Sequence, residues 1–453
     1  MLLTDSLWGE EDTQVSSTSI QDVLKRSKPK KVKVLTEKSI KSKTVAVADK
    51  LNIITSNVLR ILGVYKENTV VIKTRSELHR YIDRAISNGV IAIDTETNNS
   101  LDPISCKLMG PCIYTPGEKN AYIPLNHINL ETRERLPWQL TENDIREEFQ
   151  RINDSGIEII MHNGKFDYQV IKCTCHIDMR IDWDTLIAAR LLNENERAGL
   201  KEQYISKIDP SIEKYSIEHL FEGIEYAVVD PEIFALYAAT DSFMTYKLKV
   251  WQAEQFALDT NKRIYQLFKT VEMPVVLVTA SMELEGVMID SEYAKRLSKK
   301  YHKKLDDVDA RISKELETYS DKINTWRATE EANFKPKTAQ GKLGKSKNEQ
   351  LSNPISITSN TQLAILIYDI LKLESVDKAM PRGTGEDILI KLNEKHQIPL
   401  FQLILEKRGL EKLIGTYIDK LPECVSPVDG RLHAHFNQYG AATGRFSSSD
   451  PNL

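Results

Sequence analysis

The chain has 453 residues, of which 41% are hydrophobic, enough to build the cores of about three domains. Its 61 basic and 65 acidic residues leave a formal net charge of −4, so any nucleic-acid binding has to come from local patches. Five cysteines in unpaired spacing and the lack of an apolar run of membrane-spanning length argue against a disulfide framework, a zinc site and a membrane protein, and favour a cytoplasmic location.

The first 65 residues are predicted to form a basic, flexible extension. Residues 25–43 are rich in lysine and serine and include the run Lys25-Arg-Ser-Lys-Pro-Lys-Lys-Val-Lys33. This composition is typical of a solubilising arm. A basic arm that contacts phosphates or a partner is the alternative.

The first segment with a chemical signature is Val90-Ile-Ala-Ile-Asp94-Thr-Glu96. Its apolar residues give way to polar ones, as in a strand that leaves a buried sheet. Because residues two apart on a strand point to the same face, Asp94 and Glu96 are expected to project together.

Two later segments add further polar groups. Ile157–Met161 predicts another short strand, followed by a strand-to-helix turn at Asn163. Asp167 follows Asn163 by four residues, about one turn of the predicted helix. Tyr237 and Asp241 are four residues apart in a segment of helical periodicity, so they are expected to share one helix face.

Each of these patterns is common by itself. Together they predict that four carboxylates form one site for divalent metal ions. Hard oxygen ligands suit Mg²⁺ or Mn²⁺. Two such divalent metal ions could neutralise both the attacking and the leaving oxygen in the hydrolysis of a phosphodiester. Tyr237, one turn from Asp241, is well placed to orient the attacking water.

The three segments resemble the exonuclease motifs of the proofreading domain of family A DNA polymerases, in the form with tyrosine in the third motif. The stretches that begin at Asp184 and Tyr215 resemble segments between the second and third motifs of that family. The resemblance implies an α/β RNase H-like exonuclease domain over residues 66–260, with a mixed sheet flanked by helices.

The same resemblance implies different roles for the site residues. Asp94, Glu96 and Asp241 would hold the catalytic metal ion, and Asp94 would bridge to the second ion. Asp167 would act on the second ion or its waters. Tyr237 would position the nucleophilic water.

Five positions are expected to contact DNA by resemblance. Leu101 resembles a leucine that wedges against the terminal base, and Asn163 belongs to the second motif. Arg408 and Lys412, four apart on one helix face, resemble basic residues that contact the DNA backbone. An ordinary surface ion pair with Glu411 is the alternative for Arg408. Arg445 resembles an arginine that reaches the primer terminus.

The second half of the chain resembles the thumb and the beginning of the palm of the same family. The thumb, mostly helical, is expected over residues 261–425, and the incomplete palm over 426–453. A Lys/Gly-rich loop near 335–348 is predicted to be mobile and to neutralise phosphates of duplex DNA. If a second polypeptide completes the palm, strands around Leu432 to Gln438 are expected to present it with an open sheet edge.

These observations predict a metal-dependent 3′→5′ exodeoxyribonuclease that binds single-stranded 3′ ends and primer-template duplex. The carboxylates that hold the polymerase metals in the family have no convincing counterpart in the sequence, so this chain alone is not expected to add nucleotides. A split gene, an intron or intein, or a truncation would account for an end at Leu453. In the first case a second polypeptide would carry palm and fingers.

Two other functions remain open at this point. One is a DNA-binding subunit of a split polymerase, with or without nuclease activity, and the other is a ribonuclease of the RNase D type. Nothing in the sequence resembles the 5′-nuclease domain of full-length bacterial members, which suggests a phage-type protein located in the host cytoplasm.

Overall fold

The computed structural model describes residues 37–333, 338–339, 342–343, 347–441 and 443–453. One six-stranded sheet organises the first half of the chain. Its strands are β1 (Thr69–Val71), β2 (Val90–Thr97), β3 (Leu108–Tyr114), β4 (Asn120–Tyr122), β5 (Glu158–Met161) and β6 (Trp183–Asp184). The strand order is β1-β4-β3-β2-β5-β6. Because β2 pairs antiparallel with β3 and parallel with β5, the sheet is mixed, which confirms the predicted fold class.

Helices cover both faces of the sheet. They are α1 (Glu37–Leu62), α2 (Arg75–Asn88), α3 (Glu142–Ser155), α4 (Gly164–Cys175), α5 (Thr185–Leu192), α6 (Leu200–Lys207), α7 (Ile217–Leu220) and α8 (Pro231–Phe256). Successive strand residues face opposite sides, so Ala121 belongs to one core and Tyr122 to another. The first core includes α2, α3 and α4, and the second includes α1, α6 and most of the buried face of α8.

Helix α1 corrects the prediction of a flexible extension through residue 65. Ile54, Val58 and Leu62 are spaced four apart and are buried in the core that contains α8. Arg60 adds an exposed ion pair with Glu213 at 2.9 Å. The prediction is wrong for this helix because its apolar residues repeat with helical periodicity and are buried against α8. Residues 1–36, which hold most of the basic run, lie outside the described residues.

The second half of the chain is mostly helical, as predicted for a thumb. Its helices are α9 (Lys262–Leu267), α10 (Met273–Glu285), α11 (Ser291–Glu317), α12 (Ser320–Asn333), α13 (Asn360–Ala364), α14 (Glu386–His396), α15 (Pro399–Leu413) and α16 (Lys420–Glu423). Residues of α11, α13, α14 and α15 share a third hydrophobic core. Within the described ranges, no helix has both the length and the apolar character needed to cross a membrane.

Short strands of the second half pair with one another. They are β7 (Val287–Met288), β8 (Thr338–Ala339), β9 (Lys342–Leu343), β10 (Arg431–Leu432), β11 (His435–Asn437) and β12 (Ser447–Ser449). β10 pairs with β7 and β11 with β12, each pair forming a two-stranded sheet, so the open edge for a second polypeptide stays a prediction. In the 335–348 loop, β8 pairs with β9. Residues 334–337, 340–341 and 344–346 lie outside the described residues, and the mobility of the loop stays a prediction.

Glu283 joins the two halves of the chain. Its carboxylate, on α10, accepts hydrogen bonds from Lys165 Nζ at 2.6 Å and Gln169 Nε2 at 2.7 Å, both on α4. It also accepts the backbone N–H of Phe436 in β11 at 2.6 Å. One buried carboxylate therefore ties helix α4 to the regions expected to be the thumb entry and the first palm strands. The domain boundaries expected at residues 65, 260 and 425 stay predictions.

Candidate active site

Strand β2 delivers the first pair of carboxylates from the centre of the sheet. Asp94 lies opposite Cys112 of β3, and Glu96 lies opposite Gly110. One carboxylate oxygen from each acidic residue and the sulfur of Cys112 all lie within 4.8 Å of one another. Glu96 is buried, while Asp94 is partly exposed. The structure thus places the two side chains on one face, as the strand period predicts.

Asp167 reaches the same place from the first turn of α4. Its Oδ1 accepts hydrogen bonds from the backbone N–H of Thr95 at 2.8 Å and from the Thr95 hydroxyl at 2.6 Å. Thr95 stands between the two acidic residues of β2. The sequence analysis did not single it out, because a threonine in a strand carries no functional signal by itself.

The turn between β5 and α4 has a precise construction. Asn163 adopts a left-handed conformation with φ of 58°, which asparagine tolerates better than most residues. Asp184 accepts the backbone N–H of Asn163 at 3.1 Å and that of Gly164 at 2.8 Å, and also caps α5. A Cβ at Gly164 would lie 2.6 Å from the Cβ of Met161, so this close approach requires glycine. The turn therefore fixes where α4, and with it Asp167, begins.

Helix α8 brings the third motif to the cluster. Tyr237 and Asp241 are both buried, on adjacent turns of that helix. Lys201 of α6 contacts both: its Nζ lies 2.6 Å from Asp241 Oδ2 and 3.1 Å from the Tyr237 hydroxyl oxygen. Sequence reasoning missed Lys201, and a lone lysine on a short helix offers no signal by which it could have been found.

Burial dominates the electrostatics of the cluster, and crowding of negative charge adds to it at Asp94 and Glu96. Burial, followed by the charges of Asp167, Glu96 and Asp241, raises the pKa of Asp94 well above its ordinary value. Burial raises the pKa of Glu96 to about 8 and that of Asp167 to about 7, although hydrogen bonds from Thr95 oppose the second shift. Burial also raises the pKa of Asp241, against the opposing charge of Lys201.

The donor set fits hard divalent cations. The carboxylates of Asp94 and Glu96 lie together, and the charges of Asp167 and Asp241 act on the same place. Oδ1 of Asp241 is buried without a hydrogen-bond partner among the described residues. Buried polar atoms normally have a partner, so this oxygen is available to an ion. The Cys112 thiol beside Asp94 is also buried, and burial raises its pKa, which disfavours the thiolate form. The cluster therefore has the chemistry of a divalent-metal site made of oxygen ligands.

The residues expected to touch DNA lie in several places. The side chain of Leu101 is 80% exposed in the loop after β2, at the rim of a cleft of about 720 Å³ that is also lined by residues near Val425 and His435. Asn163 is exposed at the start of α4, and Lys412 and Arg445 are exposed on the thumb and palm segments. Because these four side chains are exposed, DNA can reach each of them.

Arg408 makes contacts that the sequence did not indicate. It donates to the backbone oxygen of Thr384 at 2.6 Å and to Oδ1 of Asn360 at 3.5 Å. Glu411, its expected partner in an ordinary ion pair, pairs instead with Lys407 at 3.0 Å. The arginine therefore links the first residue of α13 to the segment that precedes α14.

Comparisons with known proteins agree with this arrangement. Residues 69–251 match the family described as 3′-5′ exonuclease, and residues 327–453 match DNA polymerase family A. DNA polymerase I of Chloroflexus aurantiacus is 28% identical over 393 residues, 84% of this chain and 37% of that protein. DNA polymerase I of Treponema pallidum is 27% identical over 83% of this chain and 37% of that protein. The chain thus spans little more than a third of the length of these relatives.

A third relative and a solved structure add detail. The thermostable DNA polymerase I of Thermus thermophilus is 34% identical over 208 residues, which are 45% of this chain and 21% of that protein. The POL domain of Pol1 from M. smegmatis, in complex with DNA primer-template and dNTP, superposes with a TM-score of 0.61 at 19% identity. This match covers 84% of the present chain and 55% of the other, and shows a shared fold.

The fold and the site together define a 3′-5′ exonuclease domain followed by part of a polymerase domain. The chain therefore combines a region that matches the 3′-5′ exonuclease family with a region that matches DNA polymerase family A, and the bacterial relatives named above are DNA polymerases I.

Proposed function

We propose that this chain removes nucleotides from the 3′ ends of DNA by hydrolysing the terminal phosphodiester, as the proofreading part of a family A DNA polymerase. The observation that carries the proposal is the convergence of three distant segments. The carboxylates of β2, α4 and α8 form one buried cluster beside Tyr237, and the charge interactions among them support one shared ion site.

The cluster would hold two divalent cations, Mg²⁺ or Mn²⁺, which would neutralise charge on the attacking and leaving oxygens of the phosphodiester. Asp94, Glu96 and Asp241 are proposed to hold the first ion, with Asp94 shared between both. Asp167 is proposed to act at the second. The free Oδ1 of Asp241 supports this assignment, because a buried carboxylate oxygen is costly to leave unsatisfied.

Tyr237 is proposed to orient the water that attacks the phosphorus. Burial and the nearby charges of Asp241 and Glu96 raise the pKa of Tyr237 well above its ordinary value. The phenol therefore keeps its proton and can donate a hydrogen bond. No side-chain nucleophile is needed, so no covalent intermediate with the protein is expected.

The DNA strand is proposed to enter at the rim marked by the exposed side chain of Leu101, with Asn163 at the edge of the cluster. Arg408, Lys412 and Arg445 are proposed to contact the primer-template duplex. The comparisons give no support for a second polypeptide, so it has no part in the proposal. The cytoplasmic location, the phage origin and the inability of this chain alone to add nucleotides stay predictions.

The test uses a 5′-labelled DNA primer on a longer template with Mg²⁺, with and without dNTPs. Stepwise shortening from the 3′ end should occur in the natural protein and disappear in the double variant Asp94→Ala/Asp241→Ala. A matched RNA primer distinguishes a ribonuclease of the RNase D type, which would degrade the RNA in preference. If the DNA primer is shortened neither with Mg²⁺ nor with Mn²⁺, the proposed function is contradicted.

A further inference from the structure

Lys201 enters the carboxylate cluster from α6. Its Nζ contacts Oδ2 of Asp241 and the hydroxyl of Tyr237 at the distances given above. The ammonium also lies 4.5 Å from the centre of the Tyr237 ring and 5.3 Å from that of Tyr215. With a side chain 16% exposed, this lysine is enclosed by groups of the site and does not extend into solvent.

Helix α6 fixes the position of this lysine. Leu200 and Tyr204 of the same helix are buried in the core shared with α8, so the backbone of Lys201 is anchored to the helix that carries the third motif. The two aromatic rings beside the ammonium restrict its side chain further. The contact with Asp241 is therefore more directional than an exposed ion pair, in which two flexible side chains share one geometry only part of the time.

The two carboxylate oxygens of Asp241 have different surroundings. Oδ2 receives the ammonium of Lys201 at 2.6 Å. Oδ1 is buried and meets no hydrogen-bond donor in the part of the chain that the structure describes. Because the lysine occupies one oxygen, it determines the rotation of the carboxylate and leaves the other oxygen for a ligand.

We propose that Lys201 is a positioning residue of this site. It holds Oδ2 of Asp241 and the hydroxyl of Tyr237, so that Oδ1 of Asp241 faces the divalent cation and the phenol faces the reacting water. The inference rests on the proposed exonuclease function. Lys201 acts by orienting these two residues. Because its own positive charge repels the cation, it lowers metal affinity while it keeps Asp241 and Tyr237 correctly oriented.

The kinetic test compares Lys201→Met with Lys207→Met. Lys207 lies on the same helix, pairs with Glu196 at 2.8 Å and is 22% exposed, which makes it a matched control away from the carboxylates. At saturating Mg²⁺, kcat for a single-stranded 3′ end should fall about 10- to 100-fold in Lys201→Met, because small displacements of reacting groups have effects of this size. KM for DNA should stay within about twofold. Lys201→Arg should recover part of the loss, and Lys207→Met should show none.

A second measurement does not depend on turnover. Mn²⁺ binding, followed by electron paramagnetic resonance of the free ion, should tighten about tenfold in Lys201→Met, since one positive charge has been removed a few ångströms from the ion. Lys207→Met should bind Mn²⁺ as the natural protein does. If the natural protein binds Mn²⁺ but degrades no DNA, the proposed function fails. The comparison of Mn²⁺ affinities still tests whether Lys201 lies close to the bound ion.

Three results would overturn the proposal. Equal kcat in the two methionine variants would leave Lys201 a structural ion pair only. Unchanged Mn²⁺ affinity in Lys201→Met would mean that the lysine does not face the ion. A kcat that rises while Mn²⁺ affinity tightens would identify a lysine that blocks the site.

Discussion

Without divalent cations, the exonuclease domain should lose stability as the pH rises from about 6.5 to 8.5. Burial raises the pKa of Glu96 to about 8 from 4.5 and that of Asp167 to about 7 from 3.8. In this range the folded state therefore keeps protons that the unfolded state has already released. Stability from such groups is present in full below the unfolded pKa and is lost as the pH rises through the folded pKa.

The magnitude follows from these values. Burial lowers the pKa of His127 to about 4 and that of His162 to about 3, so between pH 6.5 and 8.5 each histidine still contributes about 0.4 kcal/mol in the opposite direction. Between pH 6.5 and its folded pKa of about 8, Glu96 loses stabilisation over about 1.5 pH units at about 1.36 kcal/mol each, or about 2 kcal/mol. Asp167 adds roughly 0.7 kcal/mol on the same scale. After about 0.8 kcal/mol for the two histidines is subtracted, the net loss of about 2 kcal/mol corresponds to a fall in melting temperature of about 4–8 °C for a domain of this size.

The assay is thermal unfolding in EDTA at both pH values. Glu96→Gln should lose most of the pH dependence, because an amide does not titrate. Glu196→Gln is the matched control, since a hydrogen bond from Lys207 holds the pKa of Glu196 below its usual range and outside this window. At pH 8.5, Mn²⁺ at about 100 times its Kd should restore about 2.7 kcal/mol.

Two results would refute this reasoning. One is a melting temperature in EDTA that stays constant or rises between pH 6.5 and 8.5. The other is an equal loss of pH dependence in Glu196→Gln and Glu96→Gln, which would place the titrating groups elsewhere in the protein.

Three further predictions concern the supports of the site. Thr95→Val removes a hydroxyl that donates to a buried carboxylate and should lower exonuclease kcat about tenfold, whereas Thr95→Ser, which keeps the hydroxyl, should retain most of it. Gly164→Ala should lower the free energy of unfolding by about 1–3 kcal/mol, because its Cβ meets backbone-anchored atoms, while Gly409→Ala, in open space on a helix, should raise stability slightly. Glu283→Ala should destabilise the protein by about 3 kcal/mol and speed limited proteolysis within residues 435–449; Glu285→Ala, at an exposed ion pair, should do neither.

The local parts of the site could be predicted from the sequence. The two-residue period placed Asp94 and Glu96 on one face of a strand, and the four-residue spacing placed Tyr237 and Asp241 on one face of a helix. The turn at Asn163 was likewise visible from its neighbours in sequence. These features depend on backbone geometry over a few residues, which the sequence specifies directly.

Packing between distant segments was not predictable in this way. Docking of α1 on the exonuclease core contradicted the predicted flexible extension, because whether an apolar face is buried depends on a partner far along the chain. Arg408 likewise found its contacts in segments that a helix-face argument could not identify.

The sequence by itself determined the class of chemistry, through the type and order of the carboxylates, and the local element that carries each one. Only the tertiary structure decided how those groups are held and charged. Thr95 binds Asp167 and Lys201 binds Asp241 because β2, α4, α6 and α8 come together at the carboxylate cluster. The raised pKa values have the same origin, since burial and mutual repulsion exist only once the segments have come together.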